Sequence, residues 1–431
     1  MRLLLHIGTE KTGTTLLQDW LYANRSALSA QGVFLSQIME IPNNRKFVAY
    51  FQSNVDDYTC NLGIKTPEGK AALFAGYGAA LEAELAAARP DHHTMVITSE
   101  HFHSRLINPR DIATLAEYLR ACFSEIRVLC YFREQASLRE SLYSTALRHD
   151  ETGPLSDYDA GIGLEDYYYN CHAIASRWAE AFGQEALLCR VYDRARFVDQ
   201  DIRRDFLAAL SQGFAPGEAP LLYPAQLDFS HSSSNESLSP LQGRLFQGIN
   251  RGVPFMVGQG EANRANWFLK AEALHCKTLI RGRMQDGATD QSRREIAARF
   301  AASNQQFFAT FLPGEPGFDQ PATDPGVAEP PAEETGRAVS VGAQTFDLSE
   351  VGDIVEDLGA RFSTSLGFRL MWEEEALMLR DVAMKYDSGA VLSREEALAL
   401  MRMAQRMRPH GPVINRKIAD WESEQANEVA Q

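Results

Sequence analysis

Residues 8–15 read Gly-Thr-Glu-Lys-Thr-Gly-Thr-Thr, a short stretch holding one ammonium, four hydroxyls and two glycines. Ahead of it, Leu3-Leu4-Leu5-His6-Ile7 is an apolar run of strand length. Behind it, Leu16, Leu17, Trp20 and Leu21 recur at the spacing of one helix face. Strand, glycine loop and helix start make an anion site, because free backbone N–H groups and the positive end of the helix dipole point into the loop. A phosphate-like group with two charges is its natural guest. The nucleotide-hydrolase loop G-x-x-x-x-G-K-[ST] has the same glycine spacing, but here Thr14 holds the lysine position and the lysine sits inside the loop as Lys11. A second group of titratable side chains, Glu100, His101 and His103, follows directly on the apolar run 95–98. In an open α/β sheet that is the carboxyl edge, where ligands bind. Side chains alternate along an extended segment, so neighbours there are expected to face opposite ways.

Positioning these groups takes alternating strands and helices. Further strands are expected at 33–35, 95–98, 127–132 and 187–191. Residues 23–30 finish the first helix, and further helices are expected at 71–88, 111–122, 136–149 and 164–182, the last closed by Gly183. The helix 136–149 has an apolar face of Leu138, Leu142, Tyr143, Ala146 and Leu147 and a polar stripe of Ser137, Ser141, Ser144, Thr145 and Arg148. Residues 40–68, rich in Asn, Asp and Tyr, read as an irregular surface segment able to close over a substrate. The alternation implies an α/β fold: a three-layer arrangement with a parallel sheet between helices on both faces.

Lys11-Thr12-Gly13-Thr14-Thr15 resembles the 5′-phosphosulfate loop of sulfotransferases that use 3′-phosphoadenosine 5′-phosphosulfate (PAPS). Arg133, directly after the fourth strand, with Ser141 eight residues on, is similar to that family's clamp on the 3′-phosphate. The resemblance covers residues 1–313 and implies a P-loop-like domain. It implies that Lys11 touches the sulfate and neutralises the leaving phosphate, that Thr12, Gly13, Thr14 and Thr15 hold the 5′-phosphate, and that Arg133 and Ser141 select the 3′-phosphorylated nucleotide. Tyr192, after the fifth strand, stands where the family has an adenine-contacting tyrosine, with a core tyrosine as the other reading. A base must take the acceptor's proton: Glu100 is the first choice and His103 the second, and a structural carboxylate paired with Arg105 stays open for Glu100. The family's small-molecule branch has an R-K-G-x-x-G loop and a tryptophan after the lysine loop; the first is missing here and Leu16 replaces the second. The implied donor is PAPS, with no metal, and the acceptor is a hydroxyl of a carbohydrate, lipid or small alcohol. Two other readings compete: a P-loop-type small-molecule kinase with a displaced lysine, and a nucleotide- or partner-binding module without catalysis.

A net charge of −15 over 431 residues argues against a nucleic-acid surface. Cys60, Cys122, Cys130, Cys171, Cys189 and Cys276 include no C-x-x-C pair and read as core thiols of a reducing compartment, with no metal site. The apolar N-terminus stops by Gly8, too short for a signal peptide, and no stretch reads as a membrane span, so a cytoplasmic protein is expected. Beyond residue 212 the pattern turns helical, with Ser239-Pro240 as a helix start after Asn235 and Ser237, and a helix over 293–311. The sulfotransferase-like domain is placed at 1–313, a proline-rich linker at 314–345, and a helical C-terminal region at 346–431. In the last, Ser393 and Glu396 form a capping box, and Pro409 and Gly411 break the chain before a final helix with Trp421.

Overall fold

In a computed structural model of the chain, the described residues are 1–212, 222–230, 238, 240–257, 261–275, 290–318, 338–341, 344–347, 373–387, 393–408 and 411–429. Asn235, Ser237 and the expected cap Ser239, as well as Cys276, most of the proline-rich stretch 314–345 and Pro409, lie outside them. The chain divides into two compact units, Met1–Arg251 with Met284–Pro331, and Gly252–Arg283 with Ala332–Gln431. Where the sequence suggests breaks at 313 and 345, residues 252–283 group with the C-terminal part.

The first unit is built on five parallel strands, β1 (Arg2–His6), β2 (Val33–Phe34), β3 (Thr94–Thr98), β4 (Ile126–Phe132) and β5 (Leu187–Val191). Their order is β2-β3-β1-β4-β5, and every neighbouring pair is parallel. Alternation along the strands sends successive side chains to opposite faces. Leu3, Leu5, Met95, Ile97, Val128 and Cys130 enter one apolar core, while Leu4, Val96, Leu129 and Tyr131 enter the other. Helices cover both. The second core is closed by α1 (Thr14–Ala23) and α2 (Arg25–Ser29) with a later helix, and the first by α3 (Arg45–Phe51) and several that follow. Between α3 and β3 come α4 (Asp57–Asn61), α5 (Pro67–Leu73) and α6 (Tyr77–Ala88). After β3 come α7 (His101–Ser104), α8 (Pro109–Cys122), α9 (Gln135–Arg148), α10 (Cys171–Phe182) and α11 (Ile202–Gln212). Trp178 of α10 and Leu115 of α8 pack on the first core, and Phe206 of α11 on the second. The helix Asp290–Phe311 returns Phe307 and Phe308 to the first core. Both sheet faces are therefore dry, which is why β1 reads as an unbroken apolar run.

Four expectations are corrected. Residues 40–68 are not irregular: they hold α3 and α4, and α5 begins at Pro67. Their polar residues read as loop but serve as caps and ion pairs. Asp56 and Thr59 form a reciprocal cap on α4, Thr66 caps α5, and the buried Arg45 guanidinium binds Asp56 and Asp57. The expected helix 71–88 is broken, because Gly76 turns to φ 76° between α5 and α6. The expected helix 164–182 starts only at Cys171, where the Asn170 carboxamide caps the Ala173 N–H at 3.1 Å. Residues 101–104 are not extended but form α7, so Glu100 and His103 are related by a helical turn rather than by strand alternation.

In the second unit the helices Glu373–Ala383, Arg394–Met407 and Pro412–Val429 bury Ala383, Ala397, Met401, Ala404, Ile414 and Trp421 in one cluster. The Ser393–Glu396 capping box is present, with both reciprocal bonds formed. Trp421 Nε1 donates to Asp387 Oδ1 at 3.0 Å.

Candidate functional site

β3, β1 and β4 lie side by side, and their carboxyl ends lead into Glu100, the Gly8–Gly13 loop and Arg133 respectively. The chain leaves β1 toward the β2 edge, then crosses back past β1 to reach β4. A crevice opens outside the strands at such a reversal of strand order.

The loop is held from below. Thr9 Oγ1 donates to Tyr131 O at 3.1 Å, Thr12 Oγ1 donates to Thr9 O at 2.6 Å, and Cys130 Sγ approaches Gly8 O at 2.7 Å. Gly8 and Gly13 have φ near 72° and 71°, and Lys11 has φ 64°. A Cβ on Gly8 would lie 2.8 Å from Glu100 Cα, and one on Gly13 would lie 3.3 Å from Tyr192 Cε2. Both glycines keep the cradle open as well as turning the chain. Gly13 precedes α1, and Leu17 N donates to Gly13 O at 3.1 Å, so the first amides of α1 have no acceptor within their own helix and face the cradle.

Above the loop is a cavity of about 890 Å³. Lys11, Gly13, Thr14, Thr15, Glu100, Arg133, Ser141 and Tyr192 all line it. These residues come from four separate stretches of sequence. Thr12 and His103 do not line it. The Thr12 hydroxyl is turned inward as a loop staple. His103 is fully buried beneath the cavity, with Nε2 3.1 Å from Tyr168 O and its ring 4.5 Å from the Tyr168 ring. Burial lowers its pKa to about 4, so it is neutral at pH 7.

Lys11 Nζ donates to Thr145 Oγ1 at 2.7 Å, and Arg133 Nη1 donates to Lys11 O at 2.9 Å. Arg133 also lies over the Tyr192 ring, 5.5 Å from its centroid. Burial lowers the pKa of both cations. For Lys11, Glu10 and Glu100 pull upward while Arg133 and Arg148 push downward. Desolvated cations of this kind gain from an anion. Glu100 Oε2 accepts from Gln18 Nε2 at 2.6 Å, and its other oxygen lies 3.8 Å from His101 Nε2. Arg105, the alternative partner of Glu100, instead pairs with Asp57 at 3.1 Å.

Sequence reasoning missed Glu10, Arg194 and His149, which line the same cavity. Glu10 Oε2 accepts from the Tyr168 hydroxyl at 2.6 Å. Burial raises the pKa of Glu10, but hydrogen bonds from Ser104 and Tyr168 and the positive charge of Arg105 work against it, and the group is held below its ordinary value. The polar stripe of α9 was visible, but not that Thr145 binds Lys11 or that Arg148 lines the same cavity. A second cavity of about 360 Å³ shares Arg133, Tyr192 and Arg194 with the first and adds Arg196, Arg293 and Phe318. Among the described residues no group of three or more His, Cys, Asp or Glu is placed to hold a metal ion, and no helix is long and apolar enough to cross a membrane.

No family model matches the chain. An uncharacterized protein of Archaeoglobus fulgidus is 29% identical over 221 residues, which are 51% of this chain and 54% of that protein. The chain thus matches about half the length of that relative. Among solved structures, a sulfotransferase from Alicyclobacillus acidocaldarius aligns with 52% of this chain and 87% of its own, at 18% identity and a TM-score of 0.29.

Proposed function

We propose that the first unit is a PAPS-dependent sulfotransferase acting on a hydroxyl acceptor. The observation that carries this reading is the convergence of Lys11, Gly13, Thr14, Thr15, Glu100, Arg133, Ser141 and Tyr192 on one cavity. The donor set suits the ligand: Lys11 and Arg133, the hydroxyls of Thr14, Thr15 and Ser141, and the start of a helix meet at a cradle kept open by glycines. PAPS, when bound, supplies the activated sulfuryl group. Lys11 holds a positive charge where negative charge develops on the phosphate side. Thr14, Thr15 and the Gly13 amide fix that phosphate, and the Arg133 fork with the Ser141 hydroxyl takes the second phosphate. Glu100, oriented by Gln18, takes the proton of the acceptor hydroxyl. Positioning of two reactants in one crevice provides much of the acceleration.

Adenosine 3′,5′-bisphosphate should raise the melting temperature of the full chain, and ATP with Mg²⁺ should not. Incubation with labelled PAPS and a panel of hydroxyl acceptors should add sulfate, read by mass spectrometry. Arg133→Ala should weaken binding of the 3′-phosphorylated nucleotide by ~2 kcal/mol, roughly thirty-fold. It should barely change binding of adenosine 5′-phosphate. A preference for ATP with Mg²⁺, or an Arg133 variant that still prefers the 3′-phosphate, would overturn the reading.

A further inference from the structure

Resting on the sulfotransferase reading, we infer that Thr145 is a positioning residue for Lys11. Its hydroxyl sets where the ammonium stands as charge develops on the leaving phosphate, and it does so from the helix that also carries Ser141. Lys11 is anchored at both ends by distant segments. Its backbone is left-handed, at φ 64°, and its carbonyl accepts from Arg133 Nη1 at 2.9 Å, just past the end of β4. Its Nζ donates to Thr145 Oγ1 on α9 at 2.7 Å. A lysine ammonium rides on a flexible four-carbon stem, and this contact selects one place for it. The ammonium has three N–H donors, so Thr145 takes one and leaves two for the phosphosulfate.

The hydroxyl is itself oriented for this task. Thr145 Oγ1 donates to Ser141 O at 3.1 Å. Its single proton is thus committed to the helix, and its lone pairs are left to accept from the ammonium. Ser141, which takes the second phosphate in the proposed function, lies one turn earlier, and both residues line the larger cavity. That turn fixes a separation of about 6 Å along the helix axis. α9 is firmly seated: Leu138, Tyr143 and Leu147 are buried. Gln135 and Asn304 also exchange two hydrogen bonds, at 2.9 and 3.0 Å. The charge at the sulfuryl end is therefore located from the same rigid element as the second-phosphate hydroxyl, and not from the loop alone. A donor gripped at both phosphates needs those two places to match, because transfer gains from fixed geometry.

Thr145→Val keeps the shape of the side chain and removes the hydroxyl. The charges acting on Lys11 are Glu10 beside it in the loop, Glu100 after β3, Arg133 after β4 and Arg148 on α9, and the substitution leaves all four in place. The titratable lining also includes His101, His149, Tyr192 and Arg194. A change in Lys11 between wild type and Thr145→Val is thus the effect of one hydrogen bond.

The test uses the full chain with Thr145→Val and Thr145→Ser. The first readout needs no acceptor: acetic anhydride labelling of Lys11, followed by mass spectrometry from pH 7 to pH 11. An acceptor hydroxyl stabilises the charged ammonium, so its removal should move the labelling midpoint down by about one pH unit. Thr145→Ser should bring it back toward wild type. The second readout is turnover of labelled PAPS. Thr145→Val should lower kcat roughly ten-fold, with the KM for PAPS and the affinity for adenosine 3′,5′-bisphosphate close to wild type, and Thr145→Ser should regain most of it. An unchanged midpoint in Thr145→Val overturns the inference. So does a raised KM at constant kcat, or a serine variant no better than the valine one. If the protein binds the bisphosphate but no acceptor is turned over, the labelling midpoint alone decides. A wild-type protein that does not bind adenosine 3′,5′-bisphosphate overturns the sulfotransferase reading itself.

Discussion

Glu100 and His103 stand one helical turn apart yet meet different surroundings. Glu100 lines the cavity and is aimed by Gln18, while His103 is sealed beneath it against Tyr168. A base must reach the proton it removes, so geometry favours the glutamate. Glu100→Gln should abolish sulfuryl transfer and leave adenosine 3′,5′-bisphosphate affinity close to wild type. His103→Asn should lower the melting temperature, because it disturbs a buried contact, but retain turnover per folded molecule. A dispensable glutamate with an essential histidine, measured by labelled-PAPS turnover, would reverse the assignment. The titratable types at 100–103 were legible in sequence, but their exposure was not. Whether a side chain faces a crevice or a core depends on α7, and that turn carries no periodic signal.

At the scale of the element, the loop from β1 to α1 works because two backbone features coincide at Gly8. Its φ is positive, and any Cβ would press on the Glu100 backbone at 2.8 Å. Gly63 shares the positive φ but has open space around it. Gly63→Ala should therefore cost ~1 kcal/mol from the left-handed conformation alone. Gly8→Ala should cost ~1 kcal/mol or more beyond that, because a packed backbone must move. It should also weaken bisphosphate binding and slow transfer, since Glu100 and the cradle shift together. Urea unfolding of the two variants measures the difference, and equal losses would show that the close approach is relieved cheaply. The glycine spacing was plain in the sequence. The contact with Glu100 was not, because it joins segments 92 residues apart through the pairing of β1 with β3.

The whole molecule carries a pH dependence set in its core. His6 is fully buried on β1, with Nδ1 2.8 Å from Thr98 Oγ1 and its ring against Tyr131 and Phe206. Burial lowers its pKa to about 3, and that of His103 to about 4, from an ordinary 6.5. Below 6.5 the unfolded chain takes up protons that the folded chain refuses, so stability is lost as pH falls toward these values. Each such imidazole contributes a slope of up to ~1.4 kcal/mol per pH unit in that window. His6→Asn cannot ionise and keeps a polar partner for Thr98. It should be less stable at pH 7 but lose less of its stability between pH 7 and pH 5, by urea unfolding at each pH. An unchanged slope would place the acid sensitivity elsewhere.

The sequence by itself determined the strands, the cradle and the apolar alternation of the three-layer α/β unit. It did so because those signals are local: β1 reads as an apolar run, Gly8 and Gly13 have a fixed spacing, and Ser393 finds Glu396 three residues on. Tertiary structure decided what is shared between distant segments. It broke the alanine-rich helix at Gly76, turned polar residues 40–68 into caps, and grouped residues 252–283 with the C-terminal unit. It also brought Thr145 to Lys11 across 134 positions, Glu10 to Tyr168 across 158, and Arg148 into the crevice with Glu100. The physical reason is that a side chain's partner, and its burial, are set by which strands are neighbours. Strand order is a property of the packed sheet, and no periodicity within any one strand or helix encodes it.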